Sequence, residues 1–144
     1  MIQRVQSIYL FLAFLVAGGL IFVFSLWTDQ SGKEVFFMDA VNSDNIYMVI
    51  TGALFVLSSL FSLISIFLFK NRKTQILLNR VNIILNFSLL GIIVYLLLTL
   101  PGEASVSEKG IGSFLPLIVI LLIVLANKAI IKDEKLVKSV DRLR

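Results

Sequence analysis

Four long apolar runs, separated by short polar stretches, organise the chain at about 7–27, 46–69, 81–100 and 114–131. Each is close to the roughly twenty residues that a helix needs to cross a ~30 Å hydrocarbon layer. None alternates with period two, the mark of a membrane β-strand. The pattern predicts an all-α membrane protein, an up-down bundle of four transmembrane helices over residues 1–131, with an amphipathic tail helix over 132–144.

The boundaries carry physical markers. Trp27 ends the first run, and its amphipathic ring favours the headgroup level. Asn42-Ser43-Asp44-Asn45 offers cap side chains to the second helix, and Pro101-Gly102 stops the third. Ser113 is placed to cap the fourth, with Pro116 in its first turn. The first run follows a short basic start, but it is longer than a secretory h-region and lacks an A-x-A exit, so a retained span is expected.

Charge fixes the expected orientation. Arg4, Lys70, Arg72, Lys73, Arg80, Lys128, Lys132, Lys135, Lys138, Arg142 and Arg144 fall on one side of a four-span chain. The other side holds Lys33 and Lys109 among Asp29, Glu34, Asp39, Asp44, Glu103 and Glu108. The positive-inside rule then puts both termini in the cytoplasm. An odd number of spans would scatter these charges.

Composition narrows the chemistry. The chain is 58% hydrophobic and 15% charged, against about 45–50% and about 25% in soluble domains. With no cysteine and no histidine, disulfides, thiol chemistry and most zinc or copper sites are removed. No Asp or Glu lies inside any of the four runs, whereas ion-coupled transport and acid–base catalysis normally place an ionisable group there. Gly18-Gly19 lacks the Lys-Ser/Thr of a phosphate loop, and Asp39 and Asp44 read as solvated loop acids. The expectation is no enzyme, no cofactor and no metal.

Polar residues within the runs are the next candidates. Ser58, Ser62 and Ser65 share one helical face, as small hydroxyl residues do at helix–helix seams. Ala13 and Ala17, beside Gly18, suit close packing on the first helix. Asn79, Asn82 and Asn86 also share a face, with Arg80 about 100° away. Asn79 and Arg80 are expected to reach water, Asn82 to sit at the interface, and Asn86 to pair with Ser62 or Ser65.

Two stretches lie outside the runs. In the tail, Leu136, Val137, Val140 and Leu143 recur at helical spacing, interleaved with Lys132, Lys135, Lys138 and Arg142. Such a helix suits the anionic inner leaflet or a protein partner; Asp133, Glu134 and Asp141 among the basic residues argue against nucleic acid. Between the first two runs, a turn at Gln30-Ser31-Gly32-Lys33 leads into β-favouring Val35-Phe36-Phe37-Met38, a short surface hairpin or an apolar contact for a partner.

With MIQRVQSIYL at its start and ANKAIIKDEKLVKSVDRLR at its end, the chain resembles an uncharacterised family of small Bacteroidota membrane proteins, a domain of unknown function. The resemblance covers essentially the whole chain and implies a four-helix protein of the bacterial inner membrane. It supplies no activity and no catalytic residues. The residues themselves favour a non-catalytic accessory or scaffold protein that binds another membrane protein, or a second copy, through helix faces and tail. The alternative is a small oligomeric transporter or lipid-binding protein whose serine and amide faces line a groove.

Overall fold

A computed structural model describes residues 2–28, 31–99 and 111–144, with side chains from residue 5 onward. It contains four helices long and apolar enough to cross a membrane. The first begins as α1 (Ile2–Leu15), widens into a π-helical turn (Val16–Leu20) and closes as α2 (Ile21–Val23). The others are α4 (Ile46–Phe67), α5 (Arg72–Thr99) and α6 (Leu115–Arg142). In the bundle α1 lies beside α4 and α6, and α5 closes the ring between them. Chain order around the ring and alternating direction make an up-down bundle, with both termini at one end.

The surface is apolar where lipid would be. Ile8, Phe22, Ile84, Phe87, Leu98 and Leu121 are all exposed, while Gln6, Ser58, Asn79 and Asn127 are buried. A soluble protein does the reverse with its polar groups. In hydrocarbon the arrangement is the stable one, because each unpaired polar group there costs several kcal/mol.

The termini end and the far end have different interiors. At the far end the core is apolar, built from Ile21, Leu26, Trp27, Phe37, Phe55, Leu96, Leu115 and Val119. A small cap closes it. β1 (Trp27–Thr28) pairs antiparallel with β2 (Glu34–Val35), and α3 (Phe37–Val41) follows at once. The hairpin is thus shorter than the sequence pattern suggests. Phe37 and Met38 turn helical behind an extended Phe36 because the Asp39 carboxylate accepts from the Phe36 amide at 3.1 Å, and because Phe37 gains burial edge-on against Phe22, ring centroids 5.0 Å apart. Trp27 is buried in this cap, so it is a core residue and not part of an interfacial belt.

Local caps hold the helix ends. Asn45 accepts from the Tyr47 amide at 3.0 Å and starts α4. Ser113 does not cap α6: it sits in a 3-10 turn (Ile111–Phe114), and the cap position falls to Phe114, which makes no side-chain cap bond. Pro116 lies in the first turn of α6, as its missing N–H allows. The stop expected at Pro101-Gly102 lies outside the described residues, as do Gln30 at the start of the expected turn and the loop charges Asp29, Glu103, Glu108 and Lys109.

Close approach requires glycine at several described positions, Gly18 and Gly112 among them. A Cβ at Gly18, in the π turn, would collide with Ser59 Oγ, so its absence lets the first helix settle on α4. At Gly112 a Cβ would sit 2.7 Å from the Ser25 carbonyl oxygen, and that oxygen accepts from the Gly112 amide at 3.0 Å. Backbone cannot swing aside as a side chain can. Gly112→Ala is therefore expected to destabilise the bundle by about 1–3 kcal/mol, the usual cost of overpacking. Thermal unfolding in detergent measures it, with Gly19→Ala, where a Cβ meets nothing within 4 Å, as the comparison.

Candidate functional site: a polar seam between the helices

The polar residues of α4 and α5 meet along one line. Asn79 Oδ1 accepts from Ser65 Oγ at 2.7 Å, and Asn79 Nδ2 donates to Asn127 Oδ1 of α6 at 2.8 Å. Just under a turn further on, Asn82 Nδ2 donates to Ser62 Oγ at 2.9 Å and to the Ser58 carbonyl at 3.1 Å. Asn86 Nδ2 donates to Ser58 Oγ at 2.7 Å and back to the Asn82 carbonyl at 2.8 Å. All of these Ser and Asn residues of α4 and α5 are fully buried.

The spacing explains the match. Going up α5 the asparagines advance by three residues and then four; coming down α4 from Ser65, the serines retreat by three and then four. In an antiparallel pair, equal steps keep both rows in register. Asn86 consequently meets Ser58, while Ser62 belongs to Asn82 and Ser65 to Asn79. The expectation that Asn86 would pair with Ser62 or Ser65 is therefore corrected by one place.

Asn79 and Asn82 are not solvated or interfacial either. The reason is the length of α5, which begins at Arg72 and not near Val81. Two extra turns of α5 lie against α4 and α6, and they carry Asn79 into the interior. Arg80, on another face, remains exposed.

Three buried amides carry no mark in the hydropathy pattern. Gln75 Nε2 donates at 2.8 Å to the carbonyl of Ser65, in the last turn of α4, where a helix leaves carbonyls in need of partners. Asn127 receives Asn79, so the seam joins three helices. Gln6 of α1 is buried at the same end, and neither end of its amide meets a partner among the described residues. Hydroxyls behave differently, and Ser62 of the seam donates to the Ser58 carbonyl of its own helix at 3.0 Å. Ser88 and Thr99, facing outward, donate to carbonyls four residues back in their own helix. A hydroxyl can be satisfied that way. A primary amide, with two donors and an acceptor, reaches across.

Beyond the apolar stretch, α6 continues without a break to Arg142. Lys132, Lys135, Leu136, Val137, Lys138, Val140, Arg142 and Leu143 are all exposed on this extension. Its base is fastened to the start of α5 by Arg72 Nη2 and Asp133 Oδ2, 2.8 Å apart and partly shielded. Glu134 and Lys138 pair one turn on, at 2.9 Å. The Lys138 hydrogen bond and charge, helped by Lys73 and Arg72, hold the Glu134 carboxyl below its ordinary pKa. The tail is thus a direct continuation of the fourth helix, tied at its base to the third.

Among the described residues no group of three His, Cys, Asp or Glu side chains comes together. The fold and the seam define a four-helix transmembrane bundle joined internally by amide–hydroxyl bonds. Its family follows from the sequence match: the chain belongs to Domain of unknown function (DUF4293), whose model matches residues 2–143. No match was found among the curated proteins or the solved structures.

The register is testable by double-mutant cycles in detergent-solubilised protein. Asn86→Ala with Ser58→Ala should show a coupling of about 0.6–1.7 kcal/mol, the range for interhelical bonds in membranes. Asn86→Ala with Ser65→Ala should show almost none. Asn79→Ala, which strips partners on two helices, should cost more than Asn86→Ala.

Proposed function

We propose that the protein is a non-catalytic accessory or scaffold subunit of the bacterial cytoplasmic membrane, both termini inside, that binds another membrane protein through its helix faces and its α6 extension. The observation that carries this is the fate of the polar residues. Ser58, Ser62, Asn82 and Asn86 are packed helix to helix and bonded to one another, and Ser65 to Asn79, so their polarity serves cohesion and leaves no amide-lined passage between α4 and α5. A transporter or polar-ligand carrier would keep such groups along an open cleft.

What remains for contact is on the outside. Leu136, Val140 and Leu143 form an exposed apolar stripe on an extension that runs about two turns past the point where α5 begins. Exposed apolar stripes of this kind suit helix docking. The neighbouring Lys132, Lys135, Lys138 and Arg142 suit an anionic inner leaflet, the surface that the positive-inside rule assigns to this end. The resemblance to Bacteroidota proteins fits the same membrane.

Affinity purification from native membranes in mild detergent tests the reading. A stoichiometric membrane-protein partner is expected with the wild-type chain, and its loss with Leu136→Glu plus Val140→Glu. Recovery of the chain with no protein partner overturns it. Orientation has a separate measurement, helped by the absence of native cysteine. Ser31→Cys should react with an impermeant maleimide in intact cells stripped of their outer membrane, and Ser139→Cys only after permeabilisation.

A further inference from the structure

Lys128 is the one charged residue within the four apolar runs, a turn before the fourth ends at Ile131. It lies on the outside of α6, exposed, and has no acid partner among the described residues. Lys132, one turn on, is likewise exposed and unpaired with any acid there. The nearby acids are engaged elsewhere: Asp133 with Arg72, and Glu134 with Lys138. An ammonium at this depth is costly unless it snorkels to water or meets an anion.

The two lysines line a groove between α1 and α6. Val5, Tyr9, Leu125 and Ala129 complete it, around a volume of about 350 Å³. Its chemistry is graded along the helix axis. Leu125 and Tyr9 stand at the deeper end, Lys128 and Ala129 midway, and Lys132 with Val5 at the termini end. That order matches a phospholipid on end, with phosphate between the ammonium groups and the acyl chain leaving past Leu125 and Tyr9. Basic pockets between membrane helices bind anionic headgroups on this physical ground.

We propose that the α1–α6 groove is a binding site for one anionic phospholipid, its phosphate held by Lys128 and Lys132 and its chain leaving past Leu125 and Tyr9. The site shares Lys132 with the basic extension but needs no partner on the tail. It is also distinct from diffuse attraction of the basic tail to the leaflet, because it has walls and holds a single molecule.

The test uses the full chain, delipidated in mild detergent and titrated with phosphatidylglycerol, phosphatidylcholine or inorganic phosphate, with bound molecules counted by native mass spectrometry. One phosphatidylglycerol per chain is expected, retained against excess phosphatidylcholine and not displaced by inorganic phosphate. Lys128→Gln with Lys132→Gln should weaken it about thirtyfold, the effect of two lysines near a lipid surface. Both positions are exposed, so folding should survive, and an unchanged unfolding temperature checks this. Lys70→Gln with Arg144→Gln removes equal charge from exposed positions outside the groove and should leave binding intact. Equal retention of phosphatidylcholine overturns the site, as does displacement by inorganic phosphate. So does undiminished binding by the Lys128/Lys132 variant, or the same loss in the Lys70/Arg144 variant.

Discussion

An amide in hydrocarbon is costly without a partner, and the α4–α5–α6 side of this bundle is arranged around that cost. Three asparagines on α5 would each be costly if they faced lipid. Burying them fixes which face of α5 points inward, and the serine row fixes which face of α4 opposes it. Asn127 then brings α6 to the same line. Individual bonds of this type average only about 0.6 kcal/mol net, so the seam contributes a few kcal/mol at most. Its larger effect is on competing arrangements. A rotated or shifted pairing leaves amides unmatched, and the correct one is selected by the cost of the others.

The two ends of the bundle solve the packing problem differently. At the far end, Trp27, Phe37, Leu96 and Leu115 fill space with apolar bulk under a cap of paired strands and one short helix. Small residues take over at the helix contacts: Gly18 admits Ser59, and Gly112 admits the backbone of Ser25. At the termini end hydrogen bonds replace bulk, and α5 and α6 run on together until Arg72 meets Asp133. Shape holds one end and polarity the other.

Hydropathy is enough to read the four long helices, because an apolar block of about twenty residues exceeds what a buried strand or a short core helix needs. The inward face of the serine row is equally legible from its spacing. The pairing is not, since the polarity of Asn79 and Arg80 stops the apolar run at Val81 and makes the amides look like a boundary. Folding the equal three-and-four spacing of Ser58, Ser62, Ser65 and Asn79, Asn82, Asn86 about the short link near Asn71 does bring the partners together. Trp27 and Phe36–Met38 mislead for another reason. Ring preference for the headgroup level and β-propensity are weak beside the burial that the cap provides. Gln75 and Gln6 carry no local signal at all; only the meeting of helix ends gives them a place.

Connections between helices generally tolerate added or missing residues, because little depends on their length. The stretch from the α4–α5 link to Asn79 is different, and the seam makes it so. One residue inserted between the start of α5 at Arg72 and Asn79 would turn the amide row by about 100° relative to Arg72 and Gln75. Removing one would turn it the other way. Either change leaves the hydropathy profile and the four long helices intact, yet the serine pairs can no longer be kept together with the Gln75–Ser65 and Arg72–Asp133 contacts. Length in this short segment is therefore as strict a requirement as the identity of the asparagines, and a chain that differs by a single insertion there would be a different protein in all but composition.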